Sequence, residues 1–430
     1  MMCTEMTCIV KVLKSIDRFK NGVSVMNQQL LSYEMNNSNF WKITIGLTLA
    51  STLNFANLYV TQPLLPLFTR EFQISPTVAS LAISLTTFSL VFALLFFGFL
   101  SDRIGRLVIL KWTLILSIIP LFVIPLVPYF WWILIWRFIT GVTIAGLPAV
   151  AIAYISEEIS IQAQGLAVSF YIASNALGGM FGRVLSGHFA DAFSWQAGFY
   201  TLGVFGLIVS FLCLWMLPKS KFFKRHNRSY KQDIAGMAVH LKNPKLAFAF
   251  LFGLMLQVAF SAVWTYLPFY LEREPFNLSI QIISLLYMTY FFGVIGSPLA
   301  GRLSTRNSLV TIIMFGLLIM LVGTVITSIS QLVYVVCGLS LVCLGFFIVH
   351  SLVSAWVGTT ATHHKSGATS FYLFSYYMGT TIGGTAVGGV WSQFGWFGVV
   401  AISVILPAIS GLLFMTVARK KKTIVKEEVK

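Results

Sequence analysis

The stretch SFYIASNALGGMFGRVLSGHFADAFSW at residues 169–195 returns in outline as SFYLFSYYMGTTIGGTAVGGVWSQFGW at residues 370–396, a constant 201 residues later. Nine of the 27 aligned positions are identical, which is more than a shared apolar composition explains. The matches include three glycine pairs that we interpret as tight helix-packing surfaces. These pairs are Gly178 and Gly379, Gly182 and Gly383, and Gly187 and Gly388. The chain is therefore predicted to consist of two similar halves.

The composition places these halves in a membrane. Of the 430 residues, 57% are hydrophobic and only 10% are charged, unlike a soluble domain. A hydrocarbon core of about 30 Å is crossed by roughly 20 apolar residues in a helix. Twelve such windows lie near 43–67, 77–100, 107–128, 131–153, 165–188, 197–217, 245–271, 279–300, 308–328, 332–356, 367–390 and 397–418. They are too long and too uniformly apolar for barrel strands, so the sequence predicts an all-α membrane protein with twelve transmembrane helices.

Two shorter echoes extend the repeat along the chain. Leu65-Pro66 matches Leu267-Pro268 at an offset of 202, and GFLSDR matches GRLSTR at an offset of 203. We therefore expect two pseudo-symmetric six-helix bundles with a solute site between them, as in many secondary transporters. The predicted segments are a tail at 1–41, a bundle at 42–217, a basic central loop at 218–244, a bundle at 245–418 and a tail at 419–430.

The basic residues predict the orientation. Only Arg70 and Arg273 fall on the outer side, and only Arg137 and Arg183 lie within predicted helices. This leaves 25 of the 29 Lys and Arg residues on one side, which the positive-inside rule makes cytoplasmic, together with both termini. Orientation thus accounts for the net charge of +16 without a nucleic-acid partner. The first forty residues lack the apolar core of a signal peptide, so none is expected.

Short motifs resemble those of a known family. GFLSDRIGR at 98–106 resembles the signature loop between helices 2 and 3 of the major facilitator superfamily, and RFITG at 137–141 resembles its helix-4 pattern. The runs SEEI at 156–159 and LFSYY at 373–377 resemble a branch of it, the YnfM-like inner-membrane transport proteins. The resemblance implies the major facilitator fold.

The resemblance also implies a latch on the cytoplasmic face that breaks when the transporter opens inward. Gly98 is expected to let helix 2 approach a neighbour closely, and the arginines of the loop are expected to pair with the acids that end helix 4. The alternative is an ordinary polar turn with orienting charges. The predicted gate residues are Gly98, Asp102, Arg103, Gly105, Arg106, Glu157 and Glu158.

Polar side chains recur at helical spacing inside the predicted membrane region. Such residues are unfavourable against lipid, so they should face a solute cavity or another helix. We take them as cavity-lining, with plain helix–helix hydrogen bonds as the alternative. Besides Arg137, the predicted substrate-binding residues are Asn54, Asn57, Thr61, Gln62, Gln257, Ser261, Trp264, Tyr287, Tyr290 and Tyr376.

Two arginines lie at a similar depth in the outer half of the membrane. If both face inward, Arg137 and Arg183 could hold an anionic or strongly hydrogen-bonding solute. Alternatively, Arg183 snorkels to the outer headgroups or pairs with Asp191, and Arg137 bonds to carbonyl groups or to helix 1. The glycines around Arg183 resemble the antiporter motif of the family, but Arg183 stands where that motif has proline.

The acidic residues lie in tails, loops and helix ends, and none is central in a predicted helix. Cationic cargo is therefore disfavoured. His350 is the one central side chain that titrates near neutral pH, although it could also be a packed hydrogen-bonding residue. We take His350, Asp191 and Glu157 as proton-coupling candidates. The sequence has no phosphate-binding glycine loop, so ATP drive is not expected, and neither a metal nor another cofactor is predicted.

The sequence thus predicts a monomeric secondary active transporter in the lipid bilayer. It would move a small neutral or anionic organic compound outward by alternating access, coupled to protons, with the direction taken from the family resemblance. One alternative is a solute–proton symporter for uptake. Another is a transporter-like receptor that binds without cycling, which Thr305 in place of an aspartate in the second-half loop favours. An enzyme is not expected, since no acidic or histidine cluster lies near an interface.

Overall fold

The computed structural model describes residues 32–223, 225, 238–304, 307–361 and 365–419, and these residues form almost nothing but helix. Within those ranges the one extended pairing is a parallel bridge between Tyr33 and Ile159. The remaining parts of both predicted tails, most of the central loop and Thr305 lie outside the described residues.

Twelve helices of the described chain are long enough to span a hydrocarbon core, as the sequence predicts. Ten of them are also apolar over a full membrane-spanning window: α1 (Ser38–Glu71), α2 (Pro76–Ile104), α3 (Arg106–Leu126), α4 (Phe130–Glu158), α6 (Trp195–Met216), α7 (Pro244–Leu271), α8 (Ile280–Ser304), α9 (Leu309–Ile326), α10 (Leu332–Thr360) and α12 (Gly388–Ala418). The other two are α5 (Ile161–Ala192) and α11 (Lys365–Thr385), which carry the repeated stretch.

The glycines of α5 allow close contact with α1. A Cβ atom on Gly178 would overlap the backbone of Thr52, and one on Gly182 would overlap the backbone of Ala56. Lipid is as apolar as the side chains themselves, so moving these side chains from lipid into a helix contact gains little free energy. Helices in a membrane therefore associate largely through such close packing. The glycines that make α5 less apolar therefore also fix it along α1.

The same packing recurs in the second half between α11 and α7. A Cβ atom on Gly379 would overlap the backbone of Leu254, and one on Gly383 would overlap that of Val258. These α7 residues follow their α1 counterparts by 202 positions. The repeat seen in the sequence is therefore a repeated helix pair.

The third repeated glycine pair lies at the contact between the halves. A Cβ atom on Gly187 would overlap the side chain of Ser284 in α8, and one on Gly388 would overlap that of Thr77 in α2. All six repeated glycines thus lie at close helix contacts, but this pair joins the two bundles.

Replacement of Gly182 by leucine is expected to prevent stable packing of α5 on α1, because the added side chain meets backbone rather than a flexible side chain. We expect the free energy of unfolding to fall by about 2 kcal/mol or more, measured as loss of the monodisperse peak in detergent gel filtration. Gly165→Leu, in the same helix, is the matched control, since a Cβ atom at that position would meet no atom of another helix within 4 Å. Equal stability of the two variants would contradict this packing.

The two halves meet at one end of the molecule. We call the end that holds residues 98–106 the motif end and the other the far end. At the far end, Arg70 of α1 forms an ion pair with Glu272 after α7. Close by, Nε2 of Gln281 in α8 lies 3.1 Å from Nδ1 of His188 in α5. Polar contacts therefore close the far end.

The motif end is open between the halves. Contacts between α2 and α11 extend as far as Phe92 and Phe374, whose ring centroids are 5.9 Å apart. Beyond that level, a Cβ atom on Gly98, Gly165 or Gly301 would meet no described atom of another helix within 4 Å. The expectation that Gly98 holds α2 against a neighbour is wrong for this arrangement, because the halves have separated there.

The chain reverses within α12. Gly395 has φ 57° and ψ −144°, a conformation that favours glycine. Before it, Trp391 stacks on the far part of α7, and after it Phe414 stacks on the motif part of α7. The residues before Gly395 thus continue the course of α11, in agreement with the predicted windows at 367–390 and 397–418.

Two helices are interrupted near the middle of the molecule. α1 contains a 3-10 turn at Gln62–Leu64, where Pro63 has no N–H group to donate. α8 contains a 3-10 turn at Leu286–Thr289. Non-helical backbone at membrane depth is tolerated where it is buried in protein or lines a cavity. Both interruptions flank Arg183 of α5.

Candidate functional site

Arg183 lies in the interior between the two halves, with 1% of its surface exposed. Its Nε donates a 2.6 Å hydrogen bond to Oε1 of Gln62 in α1, and its Nη2 donates a 3.3 Å bond to the hydroxyl of Tyr290 in α8. Asp191 is exposed at the far end of α5. The interpretation that Arg183 snorkels or pairs with Asp191 is therefore wrong, because partners from both halves enclose the guanidinium group.

Three tyrosine rings surround this guanidinium group. Its Cζ atom lies 3.9 Å from the ring centroid of Tyr59, 4.7 Å from that of Tyr290 and 4.9 Å from that of Tyr287. Cation–π contacts within about 6 Å are worth roughly 2 kcal/mol or more when desolvated. The rings stabilise the cation but do not cancel its charge.

Within the described part of the chain, no carboxylate forms an ion pair with Arg183. A buried, unpaired ion carries a desolvation penalty of several kcal/mol, and ionisable groups at membrane depth typically mark a solute or ion pathway. The centre of the molecule is therefore electropositive.

Buried hydrogen-bond donors near Arg183 lack a partner. They are Nη1 of Arg183 itself and Nε1 of Trp264. Trp264 packs against Tyr290 with ring centroids 4.7 Å apart. Buried donors are satisfied in most proteins, so two open donors around one cation favour a bound acceptor group.

The wall formed by α7 and α11 is also polar. Nε2 of Gln257 donates to the hydroxyl of Thr380 at 2.8 Å, and the hydroxyl of Ser261 donates to the carbonyl of Thr380 at 3.1 Å. Oε1 of Gln257 has no partner. Gln62 donates a 3.4 Å bond to the hydroxyl of Thr265 and so joins this wall to α1. The predicted lining residues of α7 thus bond to α11 and keep one open acceptor.

A series of aromatic rings leads from the guanidinium group toward the motif end. Between ring centroids, Phe260 lies 5.6 Å from Tyr290 and 3.8 Å from Phe346, on which it stacks. His350 continues the series, 5.8 Å from Phe346 and 4.4 Å from Tyr376. We call the set the aromatic strip; it comprises Tyr290, Trp264, Phe260, Phe346, His350 and Tyr376.

Arg137, a predicted substrate-binding residue, is fully buried and bonded to backbone carbonyl groups. Its Nε donates to Ala82 at 3.0 Å, its Nη1 to Asn57 at 2.9 Å and its Nη2 to Leu58 at 2.5 Å. The first helical segment of α1 ends at Tyr59, so its last carbonyls have no helical donor. The structure thus favours the alternative of carbonyl bonds over solute binding by Arg137.

Asn54 and Asn57 also join helices. Nδ2 of Asn54 donates to the carbonyl of Ile144 at 2.9 Å, and Nδ2 of Asn57 donates to that of Ser117 at 2.8 Å. The structure thus favours the alternative of plain helix–helix bonds for these two residues. Further along α1, Gln62 bonds to Arg183, and Oγ1 of Thr61 is buried without a hydrogen-bond partner.

The signature loop is organised around Arg106. This residue forms an ion pair with Asp102, its Nε lies 3.1 Å from Oε1 of Glu157, and its Nη1 donates to the hydroxyl of Ser101 at 2.6 Å. Gly105 has φ 107°, which permits the tight turn. These contacts lie within the first half, so the cluster does not bridge the open motif end.

Glu158 differs from the prediction. Instead of pairing with Arg103 or Arg106, its Oε1 accepts a 2.5 Å bond from the hydroxyl of Ser220 and a 2.8 Å bond from the backbone N–H of Lys221. Arg103 donates to a backbone carbonyl of its own helix at 3.2 Å. Glu158 therefore caps the chain that leaves α6 rather than forming part of an ionic latch.

The three proton-coupling candidates occupy different levels. Glu157 belongs to the loop cluster at the motif end, and Asp191 is exposed at the far end, eight residues or about 12 Å along the helix from Arg183. His350 alone lies on the aromatic strip.

Several residues of the site were not predicted from the sequence. Tyr59 precedes Gln62 by three positions, Phe260 precedes Trp264 by four, and Phe346 precedes His350 by four. Side chains at these spacings share a helix face, so the positions flanking each chosen residue held the available signal.

Comparisons with known proteins agree with this architecture. The family model described as Major Facilitator Superfamily matches residues 47–368. The inner membrane transport protein YnfM of Escherichia coli strain K12 is 33% identical over 397 residues, which cover 92% of this chain and 94% of YnfM.

Two solved structures share the fold. A bacterial homologue of the human lysosomal transporter Spinster, in an inward-facing and unoccupied conformation, has a TM-score of 0.74 at 14% identity and covers 90% of this chain and 98% of its own. A D-xylose–proton symporter has a TM-score of 0.69 at 16% identity, with 86% of this chain and 97% of its own covered. The predicted arrangement of two six-helix bundles is thereby confirmed.

Proposed function

Because the chain belongs to the major facilitator superfamily, we propose that it carries a small organic solute across the cytoplasmic membrane by alternating access, with Arg183 at the solute site. The chain is a multi-pass membrane transporter and not an enzyme. The observation that carries the proposal is a buried arginine between the halves that has an open donor and forms no ion pair with any described residue. Such a centre favours anionic or strongly hydrogen-bonding neutral cargo over cations.

We assign the motif end to the cytoplasm. The Lys and Arg residues of the sequence support this orientation through the positive-inside rule. The open motif end then corresponds to an inward-facing state, with the ion pair of Arg70 and Glu272 holding the outer end closed. Opening of that pair and closure of α2 on α11 near Gly98 would complete the cycle.

We assign the direction as outward and the driving force as the proton gradient. The rival in which the protein binds without cycling is less well supported, because the ion pair of Arg70 and the contact between Gln281 and His188 are exposed polar contacts that can separate.

The proposal is tested with everted membrane vesicles that contain the protein and an internal pH indicator. Anionic, neutral and cationic organic compounds are added in turn to energised vesicles, with vesicles lacking the protein as control. We expect anionic or neutral compounds, but not cations, to release protons from the vesicles. A response to cations alone would contradict the assigned cargo, and binding without any response would favour the receptor.

His350→Ala is expected to remove the pH dependence of transport. Nδ1 of His350 lies 3.0 Å from the hydroxyl of Tyr372 in α11, and this contact fixes the orientation of the ring within the aromatic strip. Histidine is the side chain that ordinarily changes charge near neutral pH. Initial rates measured between pH 4 and 8 should vary at least about fivefold in the parent protein and less than about twofold in the variant. An unchanged profile would exclude His350 as the coupling residue.

A further inference from the structure

We propose that the solute is an aromatic monocarboxylate, with its carboxylate on the outer nitrogens of Arg183 and its ring on the aromatic strip. The inference rests on the proposed transport function and specifies its substrate class.

The guanidinium group presents one weakly bonded edge. Its Nε is held firmly by Gln62 at 2.6 Å, whereas Nη1 has no partner and Nη2 has a neutral hydroxyl at 3.3 Å. A carboxylate can accept two parallel bonds from the Nη1–Nη2 edge, and such charge-assisted bonds are about twice as strong as neutral ones. The edge therefore fits a carboxylate better than an uncharged acceptor.

The site matches one negative charge. Among the described residues, the Lys and Arg side chains that are buried are Arg137 and Arg183. Arg137 is bonded to three backbone carbonyl groups and is not available to a solute. A second carboxylate on the solute would therefore be buried without a cation, which is strongly unfavourable.

The ring requirement comes from the aromatic strip. The ring of Tyr290 packs against the guanidinium group. Its centroid also lies 4.7 Å from that of Trp264 and 5.6 Å from that of Phe260. The non-polar part of a solute anchored on Arg183 would therefore lie next to the rings of Tyr290, Trp264 and Phe260. Aromatic pairs gain affinity beyond the area they bury, so an arene should bind better than a saturated ring of similar size.

The test is equilibrium binding of radiolabelled benzoate and 2-naphthoate to the purified full-length protein in nanodiscs. Cyclohexanecarboxylate retains the charge without the aromatic ring, and benzamide retains the ring without the charge. We expect cyclohexanecarboxylate to compete about fivefold more weakly than benzoate and benzamide about 30-fold more weakly. Benzylammonium should not compete.

Two variants separate the ring from the charge. Phe260→Leu should reduce the preference for benzoate over cyclohexanecarboxylate to within about twofold. Phe96→Leu, at a ring that is 53% exposed on the surface of α2, is the matched control and should keep the preference. Arg183→Gln should weaken benzoate binding by about 30-fold or more.

The outcomes are distinct from those of the transport assay. Absence of binding by both arenes, or equal binding of benzoate and cyclohexanecarboxylate, would overturn the proposal. Equal binding of benzoate and benzamide would also overturn it. A vesicle response to non-aromatic anions, with no arene binding, would reject the substrate class and leave transport intact. Arene binding with no vesicle response to any compound would retain the class and reject transport.

Discussion

Arg183→Gln is expected to abolish solute transport while leaving the folded protein at least as stable as the parent. Glutamine keeps a hydrogen-bonding group beside Gln62 and Tyr290 but removes the buried charge, whose burial is unfavourable in the empty protein. Loss of a charge-assisted contact worth about 3 kcal/mol corresponds to a decrease of roughly 100-fold in rate. Improved or unchanged stability together with lost activity is the pattern expected of a residue retained for function.

The measurement combines initial transport rates in proteoliposomes with thermal unfolding midpoints in detergent. Arg183→Lys keeps the charge but not the planar fork, so we expect an intermediate rate, about tenfold below the parent. Normal transport by the Gln variant would show that Arg183 is not part of the solute site. A Gln variant that fails to fold would make Arg183 a structural residue.

Arg137→Met should have the opposite effect, a large loss of stability. Two backbone carbonyl groups at the end of the first segment of α1 would lose this buried donor, and the carbonyl of Ala82 would keep only the donors of its own helix, such as the Thr86 hydroxyl. Each unsatisfied buried group costs about 1–3 kcal/mol, so the free energy of unfolding should fall by about 3–5 kcal/mol or more.

This loss is measured as the thermal midpoint and the yield of monodisperse protein. Arg137→Lys serves as control, because one ammonium group can still donate to some of these carbonyls and should retain part of the stability. A methionine variant that unfolds at the parent's midpoint but does not transport would show that Arg137 belongs to the solute site.

The contrast between the two arginines shows where sequence reasoning was sufficient and where it was not. Both were placed at a similar depth, and the fold itself followed from a repeat at one offset and from twelve apolar windows. The interruption of α1 could be anticipated, since Pro63 has no N–H group to donate. Whether Arg137 would donate hydrogen bonds to the free carbonyl groups of α1 depended on how α4 packs against α1.

The surroundings of Arg183 were less accessible to sequence reasoning. Its partners Gln62 and Tyr290 are 121 and 107 residues away in the chain and come from different halves. No local pattern fixes which faces of α1, α5 and α8 meet, because that depends on glycine contacts and helix interruptions together. For the same reason, the pairing of Glu158 with the start of the central loop was missed.

The lone charge at Arg183 has an electrical consequence. At the solute site, an empty carrier holds one positive charge, whereas a carrier loaded with a monoanion holds none. A membrane potential therefore acts chiefly on the empty carrier, with about 2.3 kcal/mol per 100 mV available for a full crossing of one charge. With the motif end in the cytoplasm, a negative interior would draw the empty site back inward without opposing the loaded site on its way out. Voltage alone would then favour export over uptake.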